Sequence, residues 1–297
     1  MSKDVFYALT PPELLSQLRV WDVHPAHLAY RLSPGMRLMR LQGSQNIKGG
    51  IMVVGDCAGD PGGPCEGFCA DVERECAARG FRGVLLDFDR RLPPLSQLVS
   101  CLSRVLHRRG ITLFVPEYYA PLAPQARVLI SSAISGGSLA LRLQEARDRF
   151  GINRVVLAVE KTAEDFLLPA LTGCGTPLSS EQLEERRTTV CPTVFFSREL
   201  CARYFTYRDP DGGVHFVLFD DLDTIVHKLE LARQADFHAF LLPWAEISPA
   251  PERLSIPRTD VPLNVIVTSR ATEYPFAVWQ DLLKNGKNLG VFLGFYL

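Results

Sequence analysis

Short, uninterrupted apolar runs recur through the first half of this sequence, each closed by a turn residue and most followed by a helical pattern. Gly50-Ile51-Met52-Val53-Val54-Gly55-Asp56, Gly83-Val84-Leu85-Leu86-Asp87-Phe88-Asp89, Ile111-Thr112-Leu113-Phe114-Val115-Pro116, Arg127-Val128-Leu129-Ile130-Ser131 and Arg154-Val155-Val156-Leu157-Ala158-Val159-Glu160 all have strand length. They are apolar throughout rather than alternating, so both faces must be buried, as in a parallel sheet covered by helices. Between them, residues Cys65 to Arg79 read as a helix stopped by Gly80. Leu95 to His107 places Leu95, Leu98, Val99, Leu102, Val105 and Leu106 on one helical face, and a third helix is expected from about Ser138 to Phe150.

At 297 residues the simplest closed solution is one α/β domain, residues 1–297, folded as a (βα)8 TIM barrel. A doubly wound open sheet is the competitor. It calls for a Gly-rich phosphate loop after a strand, and the glycines around residues 59–67 do not fit GxGxxG. Four N-terminal segments compete for the first three strands: Val5 to Leu9, His27 to Leu32, Met36 to Leu41 and Ile51 to Val54. That is one too many, while Pro11 to Leu18 reads as helical.

The rhythm breaks over residues 171–222, which predict an α+β insertion between strands seven and eight. Leu171 to Ser180 is loop-like, Glu181 to Arg187 helical, and Thr193 to Phe219 β structure with a turn at Asp209-Pro210-Asp211-Gly212-Gly213. Asp220 or Asp221 then caps a helix over Leu222 to Ala235, which leads into the strand Ala239-Phe240-Leu241-Leu242.

Charge and cysteine usage narrow the function classes. Thirty-two basic against 33 acidic residues give a net charge of −1, without the basic excess of a nucleic-acid partner, and no apolar run approaches the roughly 20 residues of a bilayer helix. The N-terminus lacks the apolar core of a secretory signal, so the expectation is a cytoplasmic protein whose eight cysteines are reduced thiols. Cys57, Cys65, Cys69 and Cys76 lack the paired spacing of a zinc site, and no metal or cofactor is expected. His24 and His27, three apart around Pro25, read as surface or capping histidines. Oligomeric state is left open.

Catalytic side chains of a parallel barrel sit at the C-terminal ends of its strands. Here those ends carry Asp56, Asp87, Asp89, Glu117 and Glu160, with Glu246 after the last strand. Alternation puts Asp87 and Asp89 on one face, and like charges that close raise one carboxyl's pKa toward neutrality, as general acid catalysis needs. Against that, Arg82, Arg90 and Arg91 flank the pair, and Asp89 could simply bridge to an arginine. Glu117, followed by Tyr118 and Tyr119, could pair with Glu160 as a second type of retaining carboxylate couple, or line a pocket.

The stretch Gly80-Phe81-Arg82-Gly83-Val84-Leu85-Leu86-Asp87-Phe88-Asp89 resembles the fourth-strand signature, DGxxxDxE after Gly-Phe, of the family 18 glycoside hydrolases, the chitinase-like barrels. Residues Tyr207 to Asp221 followed by Lys228-Leu229-Glu230-Leu231-Ala232 resemble the flap and penultimate helix of that family's spore-cortex and sporulation branch. The resemblance implies action on, or binding of, chitin- or peptidoglycan-like glycans containing N-acetylglucosamine. It implies Asp89 as the acid that protonates the glycosidic oxygen and Asp87 as the residue orienting the substrate's N-acetyl group, which acts as nucleophile. Trp244 corresponds to the tryptophan that floors the sugar site, and Tyr118, Glu117, Glu160 and Asp56 are further substrate-binding candidates.

The family pattern is degenerate here. Its acid is Glu, so Asp89 is one methylene short; Arg82 and Leu85 replace two earlier Asp residues; and Ile130-Ser131-Ser132-Ala133 stands where the family holds the N-acetyl group with Tyr and Asp. The alternative is therefore a non-catalytic barrel with a structural or protein-binding role in a sporulating cell.

Overall fold

The computed structural model describes residues 4–44, 47–57, 59–170, 173 and 175–259. The expectations for Met1 to Lys3, and for Leu171, Thr172 and Cys174 of the insertion loop, lie outside the described residues.

Eight parallel strands close into a barrel in the order β1 (Val5–Thr10), β2 (His24–Ser33), β4 (Ile51–Gly55), β5 (Gly83–Asp87), β6 (Thr112–Pro116), β7 (Arg127–Ser131), β8 (Val155–Ala158) and β14 (Ala239–Pro243), with β14 returning to β1. The surplus N-terminal segment is β3 (Arg37–Arg40), which folds back antiparallel on β2 outside the barrel. Its arginines pair with the first helix, α1 (Cys65–Arg79), through Arg37 to Asp71 and Arg40 to Glu75. Residues Pro12–Val20 form a 3-10 helix.

Alternation along the strands sorts side chains into two layers. Ala26, Ile51, Val53, Leu85, Phe114, Leu129, Val156, Ala239 and Leu241 point inward and fill the barrel. Their neighbours, among them Met52, Val54, Val84, Leu86, Leu113, Val128, Val155, Leu157 and Phe240, point outward under the helices. Leu85 is part of the inner layer. The outer helices include α1, stopped by Gly80 at φ 70°, α2 (Pro93–Arg108) and α3 (Leu139–Phe150), whose N-cap is Ser138. At the opposite, N-terminal rim, Gly50 has φ 70°, and a Cβ there would stand 2.3 Å from the Pro25 carbonyl oxygen, so no side chain fits.

His27 is a correction to the surface reading. It is a β2 residue of the outer layer, 1% exposed, with Nε2 3.0 Å from the Gly49 carbonyl and its ring edge-on to Phe81. No partner for Nδ1 is found among the described residues.

Between β8 and β14 lies a second sheet of β9 (Ala163–Leu168), β10 (Thr176–Pro177), β11 (Phe195–Ser197), β12 (Ala202–Arg208) and β13 (Val214–Phe219), in the order 10-9-13-12-11. It begins directly after β8, so β9 joins it from upstream of residue 171. The helix α4 (Ser180–Val190) packs Leu183 on Phe205, Val217 and Phe219. On that face buried Asp165 binds Arg186, Tyr207 and His215, whose Nδ1 is 2.8 Å away. At the root of the insertion the Asp220 amide donates to the Thr162 carbonyl (2.7 Å), and the Thr162 amide donates to Asp220 Oδ2 (2.9 Å). Asp221 caps α5 (Leu222–Gln234), which leads back to β14.

Candidate active site

The sequence places carboxylates at the C-terminal ends of strands three, four and seven, and the closed barrel turns those ends toward one another. Asp87 ends β5 on the inward parity of Leu85, and Glu160 continues the inward parity of Val156 beyond β8. The barrel mouth thus holds Asp87 and Glu160, with Asp89 exposed two residues beyond Asp87. Burial, then the charges of Asp89 and Asp56, push the Asp87 carboxyl up to about 7. Burial also pushes Glu160 up to about 8, opposed by a hydrogen bond from Ser131 and the charge of Lys228, and assisted by Asp87 and Asp89. Near neutral pH both carboxyls therefore carry protons for part of the time, the state required of a proton donor.

The backbone under Glu160 is fixed by its amide, which donates to the Ser132 hydroxyl at 3.0 Å. Behind it, buried Lys228 of α5 reaches Asp220 Oδ2 at 2.7 Å. Ser131 and Ser132 thus serve Glu160 and its backbone.

Asp56 is committed to Arg90. The guanidinium donates from Nε to Oδ2 and from Nη2 to Oδ1, both at 2.9 Å, and Nη2 also reaches the Cys57 carbonyl at 2.6 Å. Of the arginines flanking the acid pair, Arg90 thus pairs with Asp56, while Arg82 is exposed ahead of β5, at the end of the barrel away from the mouth.

Glu117 starts a 3-10 turn after β6 (Glu117–Leu122) and turns to α3, with Arg142 at 2.9 Å and Arg149 at 3.6 Å. The next two residues face the other way: the Tyr118 hydroxyl donates to the Phe88 carbonyl and the Tyr119 hydroxyl to the Arg90 carbonyl at 2.8 Å. Glu246 pairs with Lys161 at 2.7 Å. Trp244 opens the short helix α6 (Trp244–Ile247) and is 1% exposed within the outer layer, because Pro243 takes the inward parity. Its indole N–H has no partner among the described residues.

The structure therefore brings Asp56, Asp87, Asp89, Tyr118 and Glu160 to one end of the barrel and sends Glu117 to α3 and Trp244 to the outer layer. Sequence reading singled out neither Ser131 nor Tyr119 for its contact. Arg90 was marked only as a flanking charge, and its partner lies 34 residues upstream.

No family model matches the sequence, and no curated protein matches it. Solved structures do. A chitinase from Chromobacterium violaceum superposes with TM-score 0.61 at 15% identity, covering 85% of this chain and 99% of that one. The spore cortex-lytic enzyme SleL of Bacillus cereus gives 0.60 at 14% identity, covering 85% and 74%. A substituted family 18 chitinase from Cycas revoluta, in complex with (GlcNAc)4, gives 0.61 at 13% identity, covering 84% and 98%. Identities this low speak for architecture, and the architecture is plain: this chain is a (βα)8 barrel of the kind seen in family 18 chitinases and spore cortex-lytic enzymes.

Proposed function

We propose that the barrel mouth binds a glycan containing N-acetylglucosamine and hydrolyses it. Asp89 gives its proton to the glycosidic oxygen as the C–O bond breaks, and the substrate's acetamide oxygen attacks the anomeric carbon. Asp87 orients the acetamide, and water then opens the cyclic intermediate. One observation carries this reading: Asp87 points into the mouth at the end of the fourth strand, two residues before Asp89, with its carboxyl raised to about 7.

A specific observation favours a second reading, a barrel without turnover. Trp244 lies in the outer layer instead of flooring a sugar site. Incubating the protein with chitooligosaccharides and with peptidoglycan, and resolving the products, separates the two. The hydrolase reading expects cleavage that Asp89→Asn abolishes; cleavage that survives this change, or no cleavage by the wild type, overturns it. Oligosaccharide binding without cleavage supports the second reading.

A further inference from the structure

The segment that carries Asp89 is held from both sides by side chains of neighbouring loops. Its two flanking carbonyls, Phe88 and Arg90, accept hydrogen bonds from Tyr118 and Tyr119 of the turn after β6. On the opposite side, Arg90 grips Asp56 with two hydrogen bonds and the Cys57 carbonyl with a third, and the Cys57 amide donates back to Asp56 Oδ1 at 2.7 Å. The Asp56 amide in turn donates to the Asp87 carbonyl at 3.1 Å. Tyr119 is fully buried and meets the Phe88 ring edge-on at 6.3 Å, so the bracket stands on packed rings.

These contacts tie the loops after the third, fourth and fifth strands into one frame with Asp89 at its centre. Both tyrosine bonds end on main-chain atoms, so they fix where residue 89 sits whatever its side chain. An aspartate has less reach than a glutamate, and a misplacement of ~1 Å can cost on the order of 100-fold in rate, so a short acid demands a backbone held more firmly.

The geometry points to Arg90, Tyr118 and Tyr119 as positioning residues that hold Asp89 beside Asp87 across the mouth, with Asp56 as the anchor of Arg90. This inference rests on the reading of Asp89 as the proton donor, and goes beyond it by assigning the residues that hold the donor in place.

Its test has an arm that needs no turnover. The charge of Asp89 helps raise Asp87, so the Asp87 titration midpoint, read by carboxyl carbon NMR, reports how near Asp89 lies. The full chain is compared as wild type, Tyr118→Phe/Tyr119→Phe, Arg90→Lys and Asp89→Asn. Each tyrosine change removes only a hydroxyl. The expected result is an Asp87 midpoint in the double-Phe and Arg90→Lys proteins that moves from the wild-type value toward that of Asp89→Asn, the lysine keeping the charge opposite Asp56 while losing the forked grip. On chitooligosaccharides, kcat falls on the order of 10- to 100-fold while KM changes less than threefold.

An Asp87 midpoint in both the double-Phe and Arg90→Lys proteins equal to wild type overturns the inference. If the double-Phe protein does not fold, Arg90→Lys against wild type decides alone. Failure of the hydrolase reading shows separately, as absence of turnover in the wild type, and leaves the titration arm able to decide.

Discussion

Lys228 Nζ lies 2.7 Å from Asp220 Oδ2, and the two side chains are 1% and 0% exposed. Asp220 is otherwise saturated, by the Thr162 amide and the Thr224 hydroxyl. Removing one member of such a pair strands the other charge in the interior. Asp220→Asn and Lys228→Met should each destabilise by ~3–5 kcal/mol in urea titrations, and replacing both by apolar residues should restore much of that loss. A double variant no more stable than the singles would contradict this account.

The mouth carboxyls make the protein less stable as pH rises. Asp87 and Glu160 have folded pKa values of about 7 and about 8, above the ordinary carboxylate range, so the folded state binds more protons than the unfolded chain in between. Their contribution is complete below about pH 4 and is lost as pH climbs through 7 and 8. Glu160→Gln should therefore raise stability at pH 8.5 by up to ~5 kcal/mol and change it little at pH 4. Asp87→Asn should act in the same direction and also lower the Glu160 midpoint. Equal effects at the two pH values would remove the burial argument.

His27 works with the opposite sign. Burial lowers its pKa to about 4, against a hydrogen bond with the Gly49 carbonyl that favours the charged ring. Between pH 4 and 6.5 the unfolded chain holds a proton that the folded one refuses. The stability is fully present above 6.5 and lost as pH falls toward 4, by up to ~3 kcal/mol. Chemical denaturation at pH 7 and pH 4.5 should show this loss in the wild type and a smaller one in His27→Gln, with the fully neutral ring visible by imidazole NMR down to pH 5.

Trp244 supplies a test of which way the end of β14 faces. Trp244→Phe deletes a buried N–H without a partner but leaves a smaller ring, two effects of about 1–2 kcal/mol that oppose each other. The change should leave the melting temperature close to wild type and the affinity for chitooligosaccharide unaltered, since the side chain belongs to the layer beneath the helices. A tenfold loss of affinity would place the indole against the sugar instead.

The barrel was legible because its signal is local. Runs such as Met52-Val53-Val54 and Val84-Leu85-Leu86 bury both faces, and caps such as Gly80, Ser138 and Asp221 stand beside the helices they close. The segment around Arg37–Arg40 was ambiguous because its charged residues pair with α1, a long-range choice that propensity does not register. His27 was missed because one residue within a barrel strand is buried by its register, whatever its polarity. At the mouth, Asp87 and Glu160 followed from their places at the C-terminal ends of the fourth and seventh strands. The Asp56–Arg90 pair, the turn of Glu117 to α3 and the outward parity of Trp244 depend on loop paths and on one proline, Pro243, which sequence spacing does not resolve.

Thr162 and Asp220 make the second sheet a detour with a closed gate. Their two hydrogen bonds join points 58 residues apart in the chain, so the segment between them leaves and re-enters the barrel at one place, and it rests further on the helices through Glu199 to the Leu139 amide and Arg203 to Asp223. Closure entropy grows only slowly with loop length. The wall between the seventh and eighth strands can accordingly be lengthened or shortened at a far turn such as Asp209 to Gly213 at small thermodynamic expense, provided the junction pair and the contacts to α3 and α5 are kept.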